Sequence, residues 1–160
     1  MLAATPWLAA EAPTPASRAQ AFVSAFYAWY QRPDRPQDVA AVLRAQKDAL
    51  APELYRALQA DLAASRKNKD EVVGLDFDPF LNTQEDSPAL VAGPAAASGG
   101  ALRVPVTEPG GKTRVTVEVD CTASACRITN LHYPEASSPD DENLVALLKR
   151  LASDRAPRKK

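Results

Sequence analysis

The sequence predicts an α+β domain in which N-terminal helices pack on a curved antiparallel sheet of three to four strands, followed by a short C-terminal helix. In residues 17–62, apolar side chains recur every three or four positions, as on the buried face of a helix. In residues 102–121, they alternate with polar or small ones, as in a strand. Helices followed by an antiparallel meander are the order of an α+β domain.

Three helices are predicted in the first half. Residues 17–31 carry Phe22, Phe26, Trp29 and Tyr30 on one stripe, and the two prolines of RPDRP end that helix. A second helix runs from about 37 to 50. The third opens at Pro52, a residue favoured in the first helical turn, and ends in the polar run SRKNKDE.

Strands are predicted in the second half at 102–106, at 115–121 after the turn EPGGK, and at 125–133, with a shorter one at 89–97. The segment ENLVALLKRLAS then forms the C-terminal helix, with Ser138 or Asp140 as its cap. A chain of 160 residues is long enough for one core, so we expect a single domain at 17–152 and a disordered basic tail at 153–160.

Residues 1–16 are predicted to be a signal-peptide remnant or a disordered N-terminus. A short apolar run ends in LAA near Ala9 and Ala10 and is followed by Pro, Thr and Ser, as at a signal cleavage site. The first basic residue is Arg18, so a basic n-region would lie upstream of Met1; a plain apolar tail is the alternative. No other segment has the ~18–20 apolar residues of a spanning helix. We therefore expect a soluble, periplasmic or secreted bacterial protein.

The charge composition of the chain does not indicate a binding partner. Charged residues make up 24% of the chain and the formal net charge is −1, so no overall field attracts nucleic acid or an anionic membrane surface. No phosphate-binding loop or set of metal ligands is recognisable, and we predict no cofactor. A protein or small-molecule partner remains open, as does the oligomeric state.

The two cysteines are predicted to form a structural disulfide. Cys121 and Cys126 flank the four residues TASA, and residues that flank such a hairpin loop stand opposite each other. The chain-entropy estimate for so small a ring is roughly 2 kcal/mol. The spacing does not fit a CxxC redox motif, and no further Cys or His pair completes a zinc site. A cysteine nucleophile would need a base, and His132 is the only histidine.

The position of His132 depends on a predicted β-bulge. Ile128 and Leu131 are three residues apart, which breaks strict alternation, and a bulge near Thr129 and Asn130 would restore it. His132 would then point away from the face that carries Ile128. A surface histidine with a local hydrogen bond is favoured over a ligand-binding or acid–base group.

The loop LDFDPFLNTQED, residues 75–86, is the main candidate site. As a calcium loop it fails, since it lacks the acidic spacing and the central glycine. It is either a structured connection with Phe77 and Phe80 in the core, or a ligand or partner surface. Catalysis by a carboxylate whose pKa is raised by burial is the third interpretation. The residues predicted to bind a ligand or partner are Asp78, Phe80, Asn82, Gln84, Tyr27, Tyr30, His132 and Tyr133.

The order of AFYAWY, APELYRAL, DPFLN, RITNLHYP and NLVALLK resembles the exported bacterial proteins of domain-of-unknown-function family 3828. That family is similar to the nuclear-transport-factor-2-like, or cystatin-like, cone superfamily. The resemblance spans roughly residues 20 to 151, and DPFLN and ITNLHYP are its most specific parts. It implies a cone of helices wrapped by a bent antiparallel sheet. It implies no catalytic residues, because the family has no established activity. The wider superfamily contains both enzymes and binding modules, so the fold alone does not decide between them.

Two functions follow from these observations. The favoured one is an exported, non-catalytic binding module in which the cone mouth, the DPFLN loop and the RITNLHYP strand form the binding surface. The alternative is a small hydrolase or isomerase that uses Asp78 or Glu85 as base and Tyr27, Tyr30 or His132 as donor. No recognisable nucleophile or metal site supports the enzyme.

Overall fold

Helices come first in the chain, then an antiparallel sheet, then a short helix. The computed structural model describes residues 12–68, 70–84, 89–134 and 143–156. The elements are α1 (Pro15–Tyr30), α2 (Val39–Ala45), a 3-10 helix (Lys47–Ala49), α3 (Pro52–Lys67), β1 (Val91–Ala92), β2 (Ala96–Ser98), β3 (Ala101–Thr107), β4 (Thr113–Cys121), β5 (Cys126–His132) and α4 (Leu144–Arg155). The predicted α+β class is confirmed.

The sheet has five antiparallel strands in the order β1-β3-β4-β5, with β2 also paired to β3. The strand predicted at 89–97 is divided into β1 and β2, which raises the strand count above the predicted three to four. Pro94 lies in the gap and has no N–H to donate. Gly93 N donates to Pro105 O at 2.8 Å, but Pro105 has no N–H with which to donate a hydrogen bond in return. The prolines of both strands therefore interrupt the pairing at the same point.

The predicted bulge in β5 is confirmed. Val119 pairs with Ile128 and Glu118 pairs with Asn130, so Thr129 is the extra residue between them. Ile128 and Leu131 are both fully buried as a result.

The core lies between this sheet face and α1. Val23, Phe26, Tyr27 and Tyr30 of α1 are buried, and the alternate residues of β3 and β4 meet them. The buried strand residues are Val104, Val106, Val115, Val117 and Val119. The apolar period of three to four residues in α1 and the period of two residues in β3 and β4 therefore predict the faces that pack together.

The helical segment predicted at 37–50 is shorter than expected. The side chain of Asp38 caps α2 by accepting from Ala41 N at 2.6 Å, and α2 ends at Ala45. The chain then passes through the 3-10 helix because Leu50 pairs with Ile128 and Ala51 N donates to Ile128 O at 2.8 Å. These contacts cover the outer edge of β5 at Ile128. Beyond them, α3 continues to Lys67 and includes part of the polar run that was predicted to end it.

Helix α4 differs from its prediction at both ends. Its N-cap is Asn143, whose Oδ1 accepts from Ala146 N at 2.9 Å. The predicted caps Ser138 and Asp140 lie outside the described residues. Residues 153–155, predicted to belong to the tail, are helical because Arg155 Nη1 donates to Asp61 Oδ1 at 2.6 Å and to Val73 O at 2.8 Å.

At the other end of the chain, Pro15 and Ala16 belong to α1, and Thr14 caps it by accepting from Ser17 N. Helix α1 thus begins two residues before the predicted start at 17. None of the helices in the described ranges combines the length and the apolar composition needed to cross a membrane.

Candidate functional site

The carboxylate of Asp78 organises the DPFLN loop, residues 78–82. Its Oδ1 accepts from Phe80 N at 2.8 Å and from Leu81 N at 3.2 Å, and its Oδ2 accepts from the hydroxyl of Tyr30 at 2.7 Å. Asp78 N also donates to Thr83 O at 2.8 Å. The side chain therefore closes a turn on its own backbone, as aspartate does in Asx turns.

Three tyrosines converge on this loop from the core. Besides Tyr30, Tyr27 donates to Phe80 O at 2.7 Å and Tyr133 donates to Pro79 O at 3.1 Å. Tyr27 and Tyr30 come from α1, whereas Tyr133 follows β5. The fold thus brings together four of the predicted site residues, and their polar atoms bond to one another or to the loop backbone.

Phe80 and Asn82 fix the same loop in other ways. Phe80 is fully buried, and its ring lies 5.4 Å from that of Phe26 and 5.2 Å from that of Tyr30. Asn82 has a φ of 51°, a conformation that Asn tolerates better than most residues, and its Nδ2 donates to Arg114 O at 3.1 Å. Phe80 is therefore a core residue, and Asn82 ties the loop to β4.

Burial controls the protonation of this cluster. Burial raises the pKa of Asp78, and the hydrogen bonds from Tyr30 and from the amides of Phe80 and Leu81 oppose that shift without cancelling it. Burial, and after it the nearby negative charge of Asp78, raises the pKa of Tyr27 and of Tyr30 well above the ordinary value. The pKa of Tyr133 is also raised, first by burial. All three phenols are therefore protonated donors at neutral pH.

A groove of about 830 Å³ lies beside the loop, between the start of α2, the second half of α3 and residues 75–84. Its volume is in the range of small-ligand sites. Asp78 and the exposed Gln84 are the predicted site residues that line it. The other lining residues are Gln37, Asp38, Val39, Ala40, Asp61, Leu62, Ser65, Arg66, Leu75, Asp76, Phe77, Pro79, Leu81 and Thr83.

Sequence reasoning missed the wall of this groove that α3 supplies. Asp61 is only 4% exposed, accepts from Leu75 N at 2.9 Å and forms an ion pair with Arg155. It shares the buried face of α3 with Leu54 and Leu58. The sequence does contain a signal for this wall: Asp61 lies at the helical spacing of the buried Leu54 and Leu58, and a charge on the buried face of a helix needs a partner.

His132 lies on the opposite face of the sheet from Leu131 and Tyr133, and it does not line the groove. Its Nε2 is 2.9 Å from Glu118 Oε2, which also accepts from Arg103 Nη2 at 3.2 Å. Burial alone would raise the pKa of Glu118, but hydrogen bonds from His132, Arg103 and Thr129 outweigh it and hold that pKa below its ordinary value. The geometry is that of a locally bonded histidine.

The predicted disulfide is present between Cys121 and Cys126, which are directly paired across β4 and β5 with a Cα–Cα distance of 4.0 Å. Thr122 N donates to Ala125 O at 2.8 Å, so the cysteines form the adjacent, non-hydrogen-bonded pair. Both cysteines of the chain are thereby used. A bonded pair is compatible with an oxidising extracellular compartment.

Among the residues that the structure describes, no group of three or more His, Cys, Asp or Glu side chains could hold a metal ion. Glu85, the other carboxylate considered as a base, lies outside those residues. No protein-family model, curated protein or solved structure matches this chain.

Proposed function

We propose that the chain is an exported, non-catalytic binding module whose ligand occupies the groove between α2, α3 and residues 75–84. The observation that carries the proposal is that the DPFLN loop is fixed before any ligand arrives. The Asp78 carboxylate and the Tyr27, Tyr30 and Tyr133 hydroxyls all bond within the protein. A rigid wall of this kind lowers the entropy cost of binding.

The lining of the groove favours a small ligand that carries a positive charge and an apolar part. Asp38, Asp76 and Asp78 contribute carboxylates, and Arg66 is the one basic residue among the described residues of the lining. The fourth carboxylate, that of Asp61, already pairs with Arg155. Apolar side chains complete the walls: Val39, Leu62, Leu75, Phe77 and Leu81.

The proposed surface is smaller than the one predicted from sequence. Phe80, Asn82 and the three tyrosines support the loop from behind, and His132 faces away from the core. The resemblance to domain-of-unknown-function family 3828 agrees with a cone-like binding module and stays a prediction.

Phenethylamine is a suitable probe, because it combines an ammonium group with an apolar ring. In ¹⁵N NMR titrations we expect saturable shifts at residues 37–40, 61–66 and 75–84. Asp76→Asn should weaken this binding by about twofold to fivefold, the range of an exposed charge pair. Asp120→Asn, which removes an exposed carboxylate outside the groove, should leave it unchanged. Shifts confined to other regions, or equal effects of both variants, would refute the proposal.

The alternative is a hydrolase or isomerase that uses Asp78 as its base. One observation favours it: Asp78 lines the groove and burial raises its pKa. Against it, both carboxylate oxygens already accept hydrogen bonds. Turnover of ester or keto substrates that Asp78→Asn abolishes in a folded protein would support the enzyme. Under our proposal, neither form of the protein turns over such substrates.

Export to the periplasm or beyond is supported by the disulfide. Intact-mass analysis of the protein from its own cell envelope, with thiols blocked at lysis, should give a mass lower by two hydrogen atoms than after reduction. Blocked thiols on both cysteines would contradict export.

A further inference from the structure

A cluster of basic side chains surrounds Tyr55 on the surface formed by α2, the 3-10 helix, α3 and the start of β5. Two cavities of about 380 Å³ each share Tyr55 as a lining residue. Arg44, Lys47, Arg56, Arg66 and Arg127 contribute to them, and within the described parts of the chain Asp48 is the one carboxylate in either lining. The formal net charge of the chain is −1, so the overall charge does not indicate this local excess of positive charge.

Most of these positive charges have no counter-ion among the residues that the structure describes. Arg56 pairs with Glu53 at 3.3 Å in an exposed bridge. Arg44, Lys47, Arg66 and Arg127 form no ion pair with any residue of the described ranges. Like charges that converge from four separate elements repel one another, and an anion that binds among them relieves that repulsion.

Tyr55 supplies a flat surface at the centre of the cluster. It is half-buried, so its ring is held by packing, and Lys47 Nζ lies 5.5 Å from the ring centroid. Leu50 and Pro52 extend this surface in one cavity, and Leu43 and Leu62 extend it in the other. A ring of the ligand can stack on this surface while its charged group meets the guanidinium and ammonium groups.

We propose that the Tyr55 cluster, defined by Arg44, Lys47, Tyr55, Arg56, Arg66 and Arg127, binds a small aromatic anion that carries a carboxylate or phosphate group. This site differs from the groove of the proposed function in the charge of its ligand. Leu62 and Arg66 line both the groove and one of the cavities, but most charged residues of the groove are carboxylates, whereas those of the Tyr55 cluster are basic. Each cavity alone is at the lower end of the size range of ligand sites, which suits a compact molecule.

Phenyl phosphate tests the proposal, with benzoate as the carboxylate probe and with inorganic phosphate and phenol as its separated parts. In ¹⁵N NMR titrations we expect saturable, one-to-one binding of phenyl phosphate or benzoate that shifts residues 43–56 and 127. Phenyl phosphate should bind more tightly than inorganic phosphate or phenol. Equal affinity for phenyl phosphate and inorganic phosphate would overturn the proposal, since the ring of Tyr55 would then contribute nothing.

Matched charge variants provide the control. Lys47→Ala and Arg127→Ala, both at exposed positions, should each weaken binding about twofold to fivefold. Tyr55→Leu, which keeps an apolar side chain, should weaken phenyl phosphate but not inorganic phosphate. Lys149→Ala removes an exposed charge from α4 outside both cavities and should have no effect. A loss in Lys149→Ala as large as in Lys47→Ala would show only general charge attraction and would overturn the proposal.

Discussion

The hydroxyl of Tyr30 donates a hydrogen bond of 2.7 Å to Oδ2 of Asp78 and joins the last turn of α1 to the loop that walls the groove. The two residues are separated by 48 positions in sequence. Because burial raises the pKa of Asp78, this bond is the main side-chain interaction that favours its charged form. This contact therefore contributes both to the rigidity of the groove wall and to the pH dependence of stability.

Tyr30→Phe should destabilise the protein more at pH 7 than at pH 4. The variant leaves the Asp78 carboxylate without its phenol donor, which costs about 1.5–3 kcal/mol when the acceptor is charged and less when it is protonated. Urea unfolding at both pH values measures the difference. Tyr27→Phe is the control, because it loses a bond to the uncharged Phe80 carbonyl and its cost should be nearly the same at both pH values. A loss in Tyr30→Phe that does not change with pH would contradict this account.

Asp78→Asn should remove a pH-dependent part of the free energy of unfolding. The pKa of Asp78 is higher in the folded than in the unfolded chain, so its contribution is fully present below the unfolded pKa and is lost as pH rises through the folded pKa. The stability of Asp78→Asn relative to wild type should therefore increase as pH rises from about 4. Denaturant midpoints across pH 3.5–8 test this, with Asp76→Asn, an exposed carboxylate of the same loop, as control. A decrease with pH would reverse the sign and refute the assignment.

The local patterns of the sequence predict much of the fold. Alternation predicted β3, β4 and the bulge at Thr129, and the position of the cysteines predicted their pairing. These features depend on neighbours along one hairpin, where register fixes geometry.

The site is less predictable because it depends on distant pairs. Asp61 meets Arg155 across 94 positions, and Tyr27 meets Phe80 across 53. The loop was identified by its unusual composition, but nothing local shows that its polar atoms are satisfied within the protein. Nor does a nearly neutral chain show that its basic residues converge around Tyr55.

Replacement of both cysteines by serine should lower the free energy of unfolding by about 2 kcal/mol, the chain-entropy value for a short ring. The ring spans a sequence separation of only 5, and hydrogen bonds of β4 and β5 hold the same register. The variant should therefore still fold. Reduction of the wild type should give the same loss, and the serine variant should not respond to reductant. A complete loss of structure in either case would show that the bridge is required for folding.

Asn143→Ala should cost more than Thr14→Ala, although both remove a helix N-cap. Loss of a cap costs about 1 kcal/mol. Thr14 caps α1 at an exposed position, whereas Asn143 Oδ1 accepts from Ala146 N at 2.9 Å and also from Asn130 Nδ2 at 3.0 Å. The alanine variant thus also loses one of the hydrogen bonds that join α4 to β5, while the bond from Val145 N to Asn130 Oδ1 remains. Thermal unfolding of the two variants and of Asn143→Asp, which keeps both acceptor roles, measures this; equal losses would mean that the link to Asn130 contributes nothing.

Gly74→Ala should destabilise the groove wall by steric overlap. A Cβ at this position would overlap Ser65 Oγ and lie 2.8 Å from Asp61 Oδ2, so either the hydroxyl or the buried ion pair must move. Such overpacking costs about 1–3 kcal/mol. Gly93→Ala is the matched control, because its nearest neighbour is Pro105 Cγ at 3.2 Å and the fit is less crowded.

Substitution of Ser65 can identify the cause of the stability loss in Gly74→Ala. If overlap with its hydroxyl is the main term, Ser65→Ala should restore part of the stability in the Gly74→Ala background while costing little alone. A double-mutant cycle by urea unfolding gives this coupling directly. Additive losses of the two substitutions would mean that the strain lies at Asp61. Because Asp61 accepts from Leu75 N and lines the groove, Gly74→Ala should in that case also bind phenethylamine more weakly.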